Sequence, residues 1–407
     1  MSKLPSLSGQ TKIVLGNGAD IHCGLNTRYS DFFATRKDCY RAIEEWIISS
    51  PNPLTYVQES ASNWEDFRPR PSLPQDLTLW ELLFYLISSN HGGSLKIPDL
   101  DRINWCDIES VMRSSLTGDS LPLFGRVINY PVQWTNIIKL FTDKTFLNKN
   151  KPDNPNEVVL AMYIKEFWSP KDVQEIKQSF YSNLLDDLQK FETMFGEFVA
   201  KQITSLYSEN LQSLIQKELS NGFNTVASID SFNYSNPGLL ETNAPICHLN
   251  GDSKAPIFGI DSLGISTNSP EYIFTKTWRH LERDAQNAER QISNPFQNVV
   301  IYGHSLNAQD FSYFFPIFDS MNLRDPTQHG VLAIGYTVFD SSRTQSIRRS
   351  LIKSVAYLFE KYEDYIRGGE IKDHHLLDSL VTFNRLLIFQ VPEIEHHGFP
   401  KFGYPKY

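Results

Sequence analysis

The chain has little cysteine, no long apolar run and no basic block, and each lack removes a class of protein. Its 407 residues carry four cysteines, Cys23, Cys39, Cys106 and Cys247, with no C-x-x-C pair among them. Scattered thiols argue against a disulfide framework and against a zinc site, and they point to a reducing compartment. No apolar stretch approaches the roughly 18 residues that a membrane helix needs, so no membrane contact is expected. The opening residues, MSKLPSLSGQTK, lack the apolar centre of a secretory leader. These features predict a cytoplasmic protein. Net charge is −9, from 38 basic and 47 acidic residues. That balance speaks against a dedicated duplex-DNA or anionic-membrane surface, though a local basic cleft fits within it.

What is present is an ordinary globular composition, with 41% hydrophobic and 21% charged residues, enough for a large core. Short apolar runs that end in glycine or polar loops read as buried parallel strands. They fall at 11–15, Val226–Ile229, Pro245–Leu249, Val299–Tyr302, Val331–Ile334 and Leu386–Val391. Between them lie helical patterns. One runs from Tyr29 to Ile48 and is stopped by Pro51 and Pro53, ahead of a connector around Pro69, Pro71 and Pro74. Others cover 77–88 and Trp105–Leu116.

From Pro152 to Leu219 the chain holds a single glycine, Gly196, and repeats a helical period. Ser169-Pro170 reads as a helix start. The stripe Val173, Ile176, Phe180, Leu184, Leu188, Phe191 follows, and Asn221-Gly222 reads as a helix stop. The expected architecture is therefore α/β, a Rossmann-like parallel sheet with a large helical insertion. The core is expected to be discontinuous, 1–50 plus 223–407, and the insertion or lid to be 51–222.

In an open α/β sheet, ligands bind at the carboxyl ends of the strands. Four segments reach that edge: 16–20, 231–237, 248–252 and 303–310. The first is the most informative. Ile13-Val14-Leu15 runs into Gly16-Asn17-Gly18, with Asp20 two residues on. Strand, glycine turn and helix start are the parts of a phosphate cradle. The plain alternative is a tight turn with Asp20 as a helix cap. Asn233 follows a strand and suits a sugar hydroxyl or a water, or simply a turn. His248 and Asn250 stand two apart, and His248 suits a general base near neutral pH.

Gly303-His304-Ser305 resembles a hydrolase nucleophile elbow, but the second glycine of that motif is Asn307 here. Ser305 then reads as a hydroxyl donor to a nucleotide or as a helix cap, and Asp310 as a cap of the following helix. His374-His375 and His396-His397 are adjacent pairs. Neighbouring side chains point apart, and neither pair has H-E-x-x-H spacing, so no metal is expected. The end, HHGFPKFGYPKY, reads as a surface tail or docking segment.

The run LGNGADIHCGLNTRYSDFF resembles the N-terminal signature of the abortive-infection AbiH proteins. NWCDIE, SFNYSNP, HLNGD, FGID, FTKTWRHLERD and IYGHSLNAQDF follow in the order that family shows. The resemblance implies bacterial defence against phage. More distantly, the same series is similar to sirtuin-like NAD-binding domains. That likeness assigns Gly16, Gly18 and Asp20 to the nucleotide loop, Asn233 to the catalytic Asn, and Gly303 and Ser305 to the late G-x-S. There are departures. Asn250 stands where the sirtuin-type base would be a His, Ser235 replaces an acid, and Ala19 replaces the aromatic usual in AbiH proteins.

Two functions from different classes follow as expectations. In the first, the chain is a defence effector that hydrolyses NAD or a related nucleotide at the N-glycosidic bond, with His248 and Asn233 catalytic. Gly16, Asn17, Gly18, Asp20, Asn250, Gly303, His304, Ser305 and Asp310 would bind the ligand, and no further cofactor is required. In the second, the chain is a non-catalytic nucleotide- or nucleic-acid-binding sensor or scaffold. Its expected partners are the nucleotide and a phage-derived trigger, and homo-oligomers fit either reading.

Overall fold

Strands that are apolar on both faces need cover on both faces, and the central strands here have it. The computed structural model describes residues 4–5, 7–49, 73–89, 105–117, 123–124, 160, 163–168, 173–220, 225–238, 240, 244–284, 295–325, 327–367 and 375–393. The strands are β1 (Thr11–Leu15), β2 (Val226–Ser231), β3 (Ile246–His248), β4 (Asn298–Tyr302), β5 (Leu332–Tyr336) and β6 (Leu386–Gln390). All pair in parallel, in the order β3-β2-β1-β4-β5-β6. That order is the doubly wound, dinucleotide-type arrangement, so the fold is α/β and Rossmann-like.

Helices α1 (Asn17–His22), α2 (Tyr29–Thr35), α3 (Lys37–Ser49), α4 (Leu79–Ser89) and α5 (Trp105–Leu116) come first in the chain. Next are α6 (Val173–Gln202), α7 (Ser205–Leu214), α8 (Lys276–Asp284), α9 (Phe311–Ser320), α10 (Thr344–Arg367) and α11 (Leu376–Thr382).

The period of two along each strand sorts the side chains into two cores. Val14, Phe232, Val299, Ile301, Leu332 and Ile334 pack with Phe314 and Phe318 of α9 and with Leu358, Phe359 and Tyr362 of α10. Ile13, Leu15, Ile229, Val300, Tyr302 and Ala333 pack with Ala19, Tyr207, Leu211 and Leu214. One charge pair interrupts the apolar strands. Lys12 on β1 donates to Asp230 on β2 at 2.7 Å, and both are buried.

Contacts divide the chain into two units. The sheet unit is Met1–Arg28, Phe195–Gly264 and Thr275–Tyr407. The helical unit is Tyr29–Met194 with Ile265–Phe274. These bounds differ from the composition breaks at 50 and 222. Residues 29–50 go with the helices, and 195–222, including α7, go with the sheet.

Within the helical unit, α4 is capped twice. Glu81 N–H donates to the Thr78 hydroxyl at 3.1 Å, and Leu79 N–H donates to the buried Asp187 carboxylate at 2.8 Å. The expected stripe on α6 is buried at Phe180, Leu184, Leu188 and Phe191. The single helix expected over 29–48 is broken at Arg36. There the Thr35 hydroxyl turns back to the Phe32 carbonyl, a local bond that competes with the helix ladder. The Arg36 guanidinium meanwhile forks onto Glu81 at 2.7 and 3.0 Å.

Several expectations lie outside the described residues. They are those on Pro51, Pro53, Pro69, Pro71, Asn104, Pro152, Ser169-Pro170, Asn221-Gly222, His374, His396-His397 and the final segment. Among the described residues, no helix is long and apolar enough to cross a membrane. No group of three metal-type ligands occurs among them either, and Cys23, Cys39 and Cys247 are free thiols.

Candidate functional site

In this strand order the crevice opens where neighbouring connections leave in opposite directions, between β1 and β4. The two loops at that point touch through their backbones. Gly16 N–H donates to the Tyr302 carbonyl at 2.9 Å, and Gly18 N–H donates to the Gly303 carbonyl at 2.8 Å. A Cβ on Gly16 would lie 2.6 Å from the Gly303 oxygen, and one on Gly303 would lie 2.3 Å from the Ala19 nitrogen. Gly303 also has a φ of +72°, which disfavours any side chain. The glycines at 16, 18 and 303 therefore let two loops of the chain approach each other. The amides of Gly16 and Gly18 already have acceptors, and α1 spans six residues.

Behind this contact lies a polar cluster. Asp20, 1% exposed, accepts from the Asn233 carboxamide at 2.9 Å and from the Tyr207 hydroxyl at 2.8 Å. With Tyr207 donating to Asp20, the Ser235 hydroxyl, 2.8 Å away, donates to Tyr207. The Thr27 hydroxyl lies 2.7 Å from Asn17 Oδ1 and 3.4 Å from Asp20, so Asn17 is its better acceptor. Burial raises the Asp20 carboxyl to about 6, against the opposing hydrogen bonds it accepts from Tyr207 and Asn233. Asp20 is thus no helix cap. The N-cap of α1 is Gly16, which has no side chain to offer.

Asn233 is fixed from several sides. Its Nδ2 also donates to the Gly16 carbonyl at 3.1 Å, and its backbone carbonyl lies 3.2 Å from His248 Nδ1. A carbonyl only accepts, so His248 carries its proton on Nδ1 and keeps the lone pair on Nε2. Burial lowers the His248 pKa, partly offset by the Asn233 carbonyl, so the ring is neutral at pH 7. Asn250 Nδ2 donates to the Phe232 carbonyl at 3.2 Å.

The two carboxamide oxygens, Asn233 Oδ1 and Asn250 Oδ1, are buried and have no partner. An unsatisfied buried acceptor costs about 1–3 kcal/mol. Both belong to the edge formed by the ends of β2 and β3, and each keeps its acceptor capacity unused within the chain.

A second cluster braces the β4 loop. Lys276 Nζ lies 2.6 Å from Asp310 Oδ1 and donates to the Gln309 carbonyl at 3.2 Å. His304 Nε2 lies 3.3 Å from Asp310 Oδ2, while Leu306 N–H donates to His304 Nδ1 at 2.9 Å. His304 therefore presents its ring proton to Asp310 and its lone pair to the backbone. Burial would raise the Asp310 carboxyl, but Lys276 and then His304 outweigh it and hold it well below the usual range. Asp310 makes no side-chain cap bond to α9. The cap of the preceding turn is Asn307, which accepts from Gln309 N–H, rather than Ser305. Ser305 itself is exposed.

The structure thus brings all four sequence segments to one edge. Asn233 binds Gly16 and Asp20, His248 binds Asn233, and Asn250 binds Phe232. The His304 and Phe232 ring centroids are 4.3 Å apart.

A family model described as Bacteriophage abortive infection AbiH matches residues 13–328. The chain belongs to the AbiH family. Membership makes it a phage abortive-infection defence protein. Neither a search of curated proteins nor one of solved structures finds a match. The AbiH match spans both clusters, from Gly16 to Asp310, and stops before β5.

Sequence reasoning on this AbiH chain passed over Tyr207, Lys276, His22 and Tyr302. Tyr207 sits in an amphipathic pattern, where its hydroxyl is invisible. Lys276 sits in a charged segment that reads as a solvated face. His22 is fully buried and pairs with the Tyr302 hydroxyl, which also meets Thr337 at 2.6 Å. Only the placement of His22 two residues after Asp20 on α1 could have drawn notice.

Proposed function

We propose that this AbiH protein is a defence effector that binds a nucleotide at the carboxyl edge of β1, β2 and β3. Its reaction is hydrolysis of an N-glycosidic bond, with NAD or a related nucleotide as substrate. The observation that carries the reading is the Asn233 carboxamide. Its nitrogen is held by Gly16 and Asp20, its oxygen is buried without a partner, and His248 is bonded to its backbone as the base tautomer.

Breaking the nicotinamide–ribose bond gives the electron pair to the ring nitrogen, so nicotinamide leaves neutral. The sugar gains oxocarbenium character, and a nearby carboxylate stabilises it. Asp20 is mostly ionised at pH 7 and supplies that charge. Water then bonds to the anomeric carbon and loses its proton to His248 Nε2. Asn17 and Gly18, both half-buried, and exposed Ser305 are assigned to ligand contact at the rim. In the same reading, Gly303, His304 and Asp310 shape the wall beside it.

A binding-only sensor is the second reading. The burial of Asp20, Asn233 and Asn250 favours it, because a closed site exchanges water and product poorly.

Incubation of the full chain with NAD, followed by chromatography for nicotinamide, tests the two. Release that disappears in His248→Ala and Asn233→Ala supports hydrolysis. NAD binding without release supports the sensor. Absence of both binding and release overturns the nucleotide reading.

A further inference from the structure

We infer that this edge holds its ligand through paired hydroxyl donors, the vicinal diol of a ribose, and not through phosphate. The inference rests on the nucleotide reading above and names the part of the nucleotide that is recognised.

The first observation is the pair of orphan acceptors. Asn233 Oδ1 and Asn250 Oδ1 are both buried and unpartnered. Neither amide can swap its ends to relieve this, because each Nδ2 already faces acceptors: Gly16 O and Asp20 for Asn233, and Phe232 O for Asn250. The two side chains are neighbours. Asn250 binds the carbonyl of the peptide that joins Phe232 to Asn233. Two fixed acceptors on neighbouring residues of one sheet edge suit a ligand group that carries two donors. The pyrophosphate diester of a dinucleotide carries no proton at neutral pH and so offers none, whereas the 2′- and 3′-hydroxyls of ribose offer two.

The second observation concerns the glycine turn. A phosphate cradle needs free N–H groups aimed at the anion. Gly16 and Gly18 donate theirs to Tyr302 and Gly303, and the loop after β4 occupies the space beside them. The nearest side-chain charge in the cluster is the Asp20 carboxylate, which repels phosphate.

The test measures binding of the full chain to three probes. They are a carbocyclic NAD, which cannot be hydrolysed, its carbocyclic nicotinamide riboside, which keeps the diol and lacks phosphate, and inorganic pyrophosphate. The riboside is expected to bind within about tenfold of the dinucleotide, and pyrophosphate is expected not to displace it. Asn250→Leu is expected to weaken the riboside by about tenfold or more, the worth of one hydrogen bond to a fixed acceptor. Displacement by pyrophosphate, failure of the riboside alone, or an unchanged Asn250→Leu affinity overturns the inference and leaves nucleotide binding standing. If none of the three probes binds, both the inference and the nucleotide reading fall.

Discussion

Asp20 and Asn233 meet at 2.9 Å although they stand 213 positions apart in the chain. One stands just past β1 and the other just past β2, and parallel pairing of those strands brings their carboxyl ends together. The contact makes the glycine turn and the SFNYS loop one object. A change at either residue is therefore expected to be felt at both.

Asp20 gives the fold a pH dependence of definite sign. Its folded-state carboxyl is raised to about 6, above its ordinary value of 3.8. The folded form thus binds a proton that the unfolded chain has already released. Its contribution is fully present below about pH 4 and is lost as pH rises through about 6. The size is about 3 kcal/mol, from a shift of about two pH units. Asp20→Asn is expected to flatten the stability profile between pH 4 and 6. Urea unfolding across that range measures it, and parallel profiles for the two proteins would contradict the assignment.

Gly303 and Gly238 both have a φ of +72°, yet they differ in surroundings. A Cβ at 303 meets the Ala19 nitrogen at 2.3 Å, whereas nothing lies within 4 Å of one at 238. Gly303→Ala is expected to cost about 3 kcal/mol or more, from overpacking plus backbone strain. Gly238→Ala should cost about 1 kcal/mol, from strain alone. Thermal unfolding of the two variants separates the effects, and equal losses would show that the β1–β4 loop contact is not tight.

Lys276 and Asp310 form an ion pair with side chains only 2% and 6% exposed. Removing one partner leaves a buried charge. Lys276→Met is expected to destabilise the fold by about 3–5 kcal/mol, and adding Asp310→Leu should restore part of that loss. Asp310 is held low in the folded state, so its stabilisation is present above its unfolded pKa and fades as pH falls through the folded value. Lys276→Met should weaken this pH dependence and leave the part that His304 supplies. Denaturation of the single and double variants checks both statements, and a double variant no more stable than Lys276→Met would refute the pairing.

The sheet was largely legible because buried strands advertise themselves as apolar runs that stop at glycine. The expected Val299–Tyr302 and Leu386–Val391 differ from β4 and β6 by one residue each. Trp105–Leu116 is a helix over its full expected length. Asp20 and Asn233 stood out because both follow strands at the carboxyl edge of the sheet, although capping and turn formation were equally open to them. What the glycines do was not legible. Approach to an anion and approach to another backbone both call for a missing Cβ, and the sequence does not record which neighbour arrives. Tyr207 and Lys276 were hidden for a similar reason, since hydrophobic period reports which face is buried and not where one hydroxyl or ammonium ends. The turn at Arg36 coincides with its contact to Glu81, 45 positions along the chain, which no local pattern records.

Access to the site should limit association. Asn233 and Asn250 are 5% and 1% exposed, and their free oxygens are below solvent reach. A ligand donor reaches them only as the shell of loops yields, so the association rate constant is expected at about 10⁵ M⁻¹s⁻¹ or lower. Stopped-flow binding of a carbocyclic NAD measures it, and a rate near the diffusion limit would mean that the ligand sits elsewhere.

The most direct measurement is nuclear magnetic resonance of the histidine rings, ten in the chain, with and without a carbocyclic NAD. The account predicts that the His248 ring resonances move on saturation, with the proton on Nδ1 before addition. A saturating ligand that leaves His248 unmoved while other histidines shift would contradict a nucleotide site at the carboxyl edge.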